Sequence, residues 1–268
     1  MKRRITLAAV AAGAMLALSA CGGGGSESEP AATGEGGVPL VKEGKLTTCT
    51  HLSYQPFQFE KDGEVVGFDV DVVDAVAEKL GVEQEIVNVP FEPITAGASF
   101  AQNQCDVAAA AITITPERQE AIDFSEPYFA ANQAILTKSD KSVKDAAGLK
   151  GMKIAAQSGT TGLDYATENF KDAEVITYED LPLSLEALKN GQADAVINDN
   201  GVLYDYAANN EGFAIGFDID TGENYGIAMK KGNTAMKKAV DDTVKELKDT
   251  GKYNEIYKKW FGKDAPKE

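Results

Sequence analysis

The chain has 268 residues, 43% of them hydrophobic and 25% charged, with a formal net charge of −16. No basic stripe is present to release counterions from a phosphate backbone, so nucleic acid is disfavoured as a partner; solubility beside a surface of like charge accounts for the acidity. The length fits one large domain or two lobes sharing the chain.

Lys2, Arg3 and Arg4 precede an apolar and small-residue run, Ile5 to Leu18, that is too short to span a bilayer comfortably. Residues 1–20 read as a signal peptide. Leu18-Ser19-Ala20-Cys21 resembles a bacterial lipobox, so Cys21 is expected to be the acylated first residue of the mature protein, anchored at the outer face of the cytoplasmic membrane. The alternative is a plain secretory signal with an incidental cysteine. Without Lys2, Arg3 and Arg4 the 26 basic residues become 23 against 42 acidic ones, a balance of −19. From Gly22 to about Pro39 the composition turns to Gly, Ser, Glu, Ala and Pro without apolar periodicity, and residues 21–40 are expected to be a flexible tether spanning roughly 20 to 25 Å. Two cysteines remain, Cys49 and Cys105, and outside the cell an even count suggests a disulfide, with two buried free thiols as the alternative. Such a bridge would contribute about 4 kcal/mol in the chain-entropy picture.

A first strand is predicted over Lys45 to Thr50, a turn at Lys61-Asp62-Gly63, and a helix from Asp69 to Leu80. Phe68, Val72, Val73, Val76 and Leu80 share one face of that helix, and Gly81 stops it. Asp69, Asp71 and Asp74 lack the glycine and the spacing of a calcium loop and are expected to complement the helix dipole and face solvent. A strand over Glu85 to Val89, a helix over Ile94 to Asn103 and a buried strand over 106–112 follow. Thr115 then has the form of an N-cap and Pro116 of a first helical residue, which places Arg118 early in a new helix. A cation there opposes the dipole by roughly 0.3 to 1 kcal/mol, and a bound anion gripped by the planar guanidinium would offset that cost. A surface pairing with Glu117 or Glu120 is the plainer alternative.

The second half repeats the scheme. Lys153 to Ala156, Glu174 to Thr177 and Asp194 to Ile197 read as strands, with helices over Gly162 to Phe170 and Leu183 to Asn190. Asn190-Gly191-Gln192-Ala193-Asp194 echoes Gln102-Asn103-Gln104-Cys105-Asp106, as if two lobes shared a plan. Closing helices are predicted over Asn233 to Lys248 and Tyr253 to Phe261; the stripe Tyr253, Ile256, Tyr257 and Trp260 reads as core packing. Alternating strands and helices give α/β sheets with ligands beyond the carboxyl ends of the strands.

The run from Thr113 to Tyr128 resembles the polar amino-acid family of bacterial extracellular solute-binding proteins, the receptors of ABC importers. The resemblance runs from about Lys45 to Gly262 and includes Gly67-Phe68-Asp69-Val70-Asp71, Ser158-Gly159-Thr160-Thr161-Gly162, Ala193-Asp194-Ala195-Val196 and Tyr253 to Gly262. It implies a two-lobed periplasmic-binding-protein-like fold of type II, each lobe a mainly parallel sheet flanked by helices. Lobe 1 would be residues 41–134 with 228–268 and lobe 2 residues 135–227, joined by crossings at Gln133 to Thr137 and Asn224 to Ala228. In the family's sheet the strands carrying Cys49 and Cys105 are neighbours.

The family resemblance also implies the ligand set. Arg118 and the backbone N–H groups of Thr160 and Thr161 would take an α-carboxylate, while Asp199, the Thr113 hydroxyl and the Ala111 carbonyl would take an α-ammonium. Asp199 could instead cap the helix after it. The side-chain subsite falls to His51, Tyr54, Phe91 and Gln157, with Asn198 beside Asp199. Relatives specific for glutamine or basic amino acids carry an aspartate where this chain has His51, and the glutamine receptor has a lysine at the position of Gln157 and a histidine at that of Asn198. These departures favour a neutral polar side chain, glutamine first, although His51 could protonate beside an acid or simply be structural. The implied partners are a free amino acid, an ABC permease with its ATPase and the membrane through Cys21, for a monomer with no cofactor, no metal and no catalytic residue. A signalling receptor is one alternative. A dehydratase-like enzyme on the same fold is another, disfavoured because the chain offers no Ser-His-Asp spacing, Cys/His metal cluster or phosphate loop.

Overall fold

The computed structural model describes residues 32–266. The predicted signal peptide, the Cys21 acylation site and the tether as far as residue 31 lie outside the described residues. The tether ends earlier than expected. Strand β1 (Ala32–Thr33) pairs antiparallel with β2 (Pro39–Leu40), and the Glu35 N–H donates to the Leu80 carbonyl at 2.8 Å. Val38 and Leu40 are buried, so even this apolar-poor stretch has enough hydrophobic surface to fasten onto the body.

Strand β3 (Lys45–Thr50) is followed by a hairpin of β4 (Phe59–Lys61) and β5 (Glu64–Val66), then helix α1 (Phe68–Lys79) and β6 (Glu83–Asn88). Phe68, Val72, Val73, Val76 and Leu80 are all buried, as the periodicity requires. The expected single helix over 94–103 is two short ones, α2 (Phe91–Thr95) and α3 (Ala98–Ala101), because Gly97 takes φ +79° and passes close to the Ala121 carbonyl. Of the expected strand over 106–112 only β7 (Val107–Ala108) pairs. The chain then leaves the sheet while staying buried, with Ala111 in the left-handed region at φ +50°. Helix α4 (Pro116–Ala121) leads into β8 (Ile122–Phe124).

β8 and a late strand, β14 (Ala228–Lys230), complete a five-stranded sheet in the order β6-β3-β7-β14-β8. β3 runs parallel to β6 and β7, whereas β14 runs antiparallel to β7 and β8. Cys49 lies directly opposite Ala108 on β7, and its sulfur is bonded to that of Cys105 with the Cα atoms 5.6 Å apart.

The second sheet is built from β9 (Phe129–Lys138), β10 (Lys153–Gln157), β11 (Glu174–Tyr178), β12 (Ala195–Asp199) and β13 (Phe213–Tyr225), in the order β11-β10-β12-β9-β13. Helices α5 (Thr161–Asn169), α6 (Leu181–Lys189) and α7 (Asn200–Asn209) follow β10, β11 and β12. β10, β11 and β12 are parallel, but β9 is antiparallel to both β12 and β13. Each sheet thus has four strands running one way and a single strand, β14 or β9, against them, so both are mainly parallel as expected. Gln133–Thr137, expected as a crossing, is paired on both sides inside the second sheet. The chain passes from one sheet to the other between Phe124 and Phe129, and returns between Tyr225 and Ala228.

Helices α8 (Thr234–Thr250) and α9 (Lys252–Phe261) close the fold. The stripe Tyr253, Ile256, Tyr257 and Trp260 packs on the core beside α1, as expected of core packing. The three acidic residues at the start of α1 do not all face solvent. Asp69 is 1% exposed, with one oxygen accepting from the Ala111 N–H and the other from the Tyr128 hydroxyl, both at 2.7 Å. Asp71 accepts from Lys259 and from Trp260 Nε1. The helical spacing was right, but the chain folds α9 and the β7–α4 segment back over this end of α1 and covers it.

Candidate functional site

The carboxyl ends of β3, β10 and β12 and the loop before α4 converge on one small cavity. His51, Tyr54, Phe91, Ala111, Thr113, Arg118, Gln157, Thr160, Thr161 and Asp199, all singled out from the sequence, line it together with Gln58 and Ala110. Asn198 does not line the cavity. Its Oδ1 accepts from the Tyr54 hydroxyl and, at 2.7 Å, from the Asp199 N–H.

Arg118 reaches the cavity through the local geometry the sequence announces. Thr115 caps α4 by accepting from the Arg118 N–H at 3.1 Å, and Pro116 opens the helix. With only six residues, α4 has Arg118 in its last turn, so the expected opposition to a helix dipole falls away. Nor does the guanidinium pair with Glu117 or Glu120. Nη1 donates to the Thr113 carbonyl at 2.8 Å and Nη2 to the Gly159 carbonyl at 2.9 Å, while the Phe91 ring centroid lies 5.4 Å from Cζ. Burial lowers its pKa, and the negative charges of Asp199 and Glu223 oppose that shift. Gly159 is left-handed at φ +70°, and a Cβ there would sit 2.6 Å from Glu92 Cγ; the tight approach lets Ser158 donate to Glu92 at 2.6 Å.

Beside Arg118, α5 begins with Thr160 as its N-cap. The Thr160 hydroxyl accepts from the Leu163 N–H and donates to the Gln157 carbonyl. Unpaired N–H groups at such a helix start suit an anion.

The opposite charge belongs to Asp199. It occupies the N-cap position of α7, yet its side chain makes no capping bond. The carboxylate instead accepts from the hydroxyls of Tyr54 at 2.9 Å and Tyr225 at 2.5 Å, and from Gln133 Nε2 at 2.5 Å. Burial, with the charge of Glu223 next, raises its pKa to about 6 against the pull of those three hydrogen bonds. A buried carboxylate so held is a ready partner for a cation.

Three residues lining the cavity carry buried polar atoms without a protein partner: His51 Nε2, Gln58 Oε1 and Gln157 Oε1. Two of them have a fixed role. His51 Nδ1 lies 3.1 Å from the Val89 carbonyl, which can only accept, so Nδ1 carries the proton and Nε2 of the neutral ring is an acceptor. Gln58 Nε2 donates to the His51 carbonyl at 3.3 Å, which turns Oε1 to the acceptor position. These two atoms therefore ask for donors.

Several contributors were not picked out from the sequence. Gln58, Gln133, Tyr225 and Glu223 sit on segments with no motif of their own, and Asp69 holds Ala111 in place from behind. Asp69 was visible as part of Gly67-Phe68-Asp69-Val70-Asp71, but nothing in that run says that it is buried.

Residues 46–263 match the profile of the bacterial extracellular solute-binding proteins, family 3. The ABC transporter glutamine-binding protein GlnH of Bacillus subtilis (strain 168) is 33% identical over 98% of this chain and 99% of its own. Among solved structures, an ancestral arginine-binding protein bound to glutamine superposes with a TM-score of 0.78 at 36% identity, covering 83% of this chain and 100% of that one. An ancestral amino acid-binding protein, a precursor of cyclohexadienyl dehydratase, reaches 0.74 at 33% identity over 81% of this chain and 95% of its own.

Proposed function

This chain belongs to family 3 of the bacterial extracellular solute-binding proteins, and we propose that it captures a free amino acid with a neutral polar side chain, glutamine first, for an ABC importer. One observation carries the reading: a single cavity is lined by the Arg118 guanidinium and the buried Asp199 carboxylate together with His51 and Gln58, whose Nε2 and Oε1 have no protein partner. The two charges match the carboxylate and ammonium of a zwitterion. The acceptors suit a carboxamide N–H₂, and no acidic side chain of the subsite stands ready to neutralise a cationic ligand side chain. Relatives that bind glutamine, or arginine and glutamine, support this ligand class.

In the proposed mechanism residues 41–128 with 228–268 form one lobe and 129–227 the other, the first boundary moved to where β9 begins. Hydrogen bonds from Tyr54 to Asp199, from Arg118 to the Gly159 carbonyl and from Ser158 to Glu92 join the two in the closed form. Neither lobe holds the whole zwitterion. Ligand then favours closure by its differential affinity, and a membrane permease with its ATPase reads the closed form. We place the protein outside the cytoplasm as a monomeric lipoprotein anchored through Cys21, and assign it no catalysis.

Calorimetry against the twenty amino acids tests the ligand: glutamine or a similar neutral polar residue should bind, and glutamate and aspartate should not. Distance measurement between labels on the two lobes tests the mechanism. Saturation with the amino acid that binds should shorten the distance in wild type and not in Asp199→Ala at the same concentration; an unchanged wild-type distance would refute closure.

A further inference from the structure

Glu223, on β13, does not line the cavity but stands directly behind it. Its Oε2 accepts from the Thr113 hydroxyl and from the Thr161 hydroxyl, each at 3.0 Å. Gln133 Nε2 lies 3.2 and 3.3 Å from the two oxygens and also reaches Asp199. Thr113 and Thr161 both line the cavity.

A threonine hydroxyl has one proton and two lone pairs, and a carboxylate has no proton to give. Both hydroxyl protons are therefore committed to Glu223, and what each threonine oxygen can still show the cavity is a lone pair. Thr161 also accepts from Gln133 Nε2 at 3.3 Å, which takes one of its two lone pairs and leaves the other. Next to these two oxygens stands the Asp199 carboxylate. Everything on that wall accepts.

We propose that Glu223 sets the hydrogen-bond polarity of the site: by taking the protons of Thr113 and Thr161 it turns both hydroxyl oxygens into acceptors, so that this end of the cavity admits an ammonium and rejects a carboxylate. The inference rests on the amino-acid reading given above and adds the residue that fixes which way round the zwitterion sits. A carboxylate placed there would meet two lone pairs and a like charge; an ammonium meets three acceptors. Glu223 acts through the threonines, as a positioning residue. Its charge also adds to the burial that raises the pKa of Asp199.

The test is Glu223→Gln, with L-glutamine and L-arginine as probes, each beside the 2-hydroxy acid carrying the same side chain. The carboxamide can donate to a threonine oxygen, which frees a hydroxyl proton to turn toward the cavity. The expected result is a fall of at least tenfold in the ratio of amino-acid to 2-hydroxy-acid affinity, read by calorimetry, with the unfolding curve of the variant recorded alongside. In a Thr113→Val, Thr161→Val background the same substitution should leave that ratio unchanged. An equal loss for both probes of a pair would mean that Glu223 only supports the wall, and an unchanged ratio in the single variant would overturn the proposal outright. If Glu223→Gln does not fold, Thr161→Val alone should weaken the amino acid more than its 2-hydroxy acid, and the reverse order overturns the proposal. Failure of the wild-type protein to bind either amino acid would count against the amino-acid reading itself, a result separable from the others.

Discussion

Of the two charges that line the cavity, Arg118 donates to two backbone carbonyls, those of Thr113 and Gly159, whereas Asp199 is wrapped by the side chains of Tyr54, Tyr225 and Gln133. The guanidinium donates to main-chain carbonyls 5 and 41 residues away. The carboxylate is held by side chains 26 to 145 residues away. The comparison teaches that a site can fix one charge through main-chain carbonyls and the opposite charge through side chains, so the two should fail differently when altered.

The sharpest way to break the comparison is Arg118→Ala. Leaving a desolvated ligand carboxylate unpaired should cost roughly 2 to 5 kcal/mol, or about thirtyfold to several thousandfold in amino-acid affinity by calorimetry. Near-normal affinity would remove Arg118 from the carboxylate role. Asp199→Asn should weaken binding less, by about ten- to hundredfold, since its hydrogen-bonding neighbours remain. The same substitution should stabilise the unliganded protein. A carboxylate whose pKa rises from 3.8 to about 6 is penalised by folding at neutral pH, and at about 1.4 kcal/mol per unit the relief is about 1 to 3 kcal/mol in urea unfolding. A destabilised Asp199→Asn would mean that the tyrosine contacts outweigh the buried charge.

Asp199 and Asp69 also make pH a probe of the difference. Both have folded-state pKa values raised mainly by burial, to about 6 and about 7 from 3.8. The native state therefore binds protons more readily than the unfolded chain in this window. The contribution of these groups to stability should grow as pH falls from about 7 toward about 4. Ligand affinity should move the other way, dropping by up to about tenfold per pH unit below about 6 as protons compete with the ammonium for Asp199. Affinity flat from pH 7 to 5 would exclude a titrating Asp199 from the ligand contact.

The smallest expected effect is the most selective. His51→Ala should shift relative preferences among amino acids by about three- to tenfold without weakening all of them alike, because its Nε2 has no protein partner and in the proposed reading belongs to the side-chain subsite. A uniform loss over a panel of amino acids would make His51 a structural residue, anchored through Val89.

What could be read from the residues follows the same division. The Thr115-Pro116 helix start is encoded within a few positions, and the structure has it where the spacing put it; the Thr160 cap of α5 was not read from the sequence. The α1 face was legible because five apolar side chains repeat at helical period. Asp199 was visible, but its environment was not. Tyr54 lies 145 residues before it in the chain and Glu223 is 110 residues from Thr113, separations over which no periodicity carries information. The strand β9 was missed for a related reason. It is a central strand, paired along both edges by β12 and β13 and buried over most of its length, so it shows no alternation, and Gln133–Thr137 read as a crossing. The break at Gly97 and the exit of the chain at Ala111 likewise depend on what packs nearby, Ala121 in one case and Asp69 in the other.

The ribbon of β1 and β2 has a mechanical consequence. It is fastened by the Glu35 bond to Leu80, by a 2.6 Å bond from the Val41 N–H to Asp106 and by the burial of Val38 and Leu40, all on the half of the molecule that carries the first sheet. A pull on the chain ahead of residue 32 is thus delivered to that half, close to the Cys49–Cys105 bridge that cross-links its strands. In the proposed closure that half would be the stator and the half bearing Asp199 the jaw that swings.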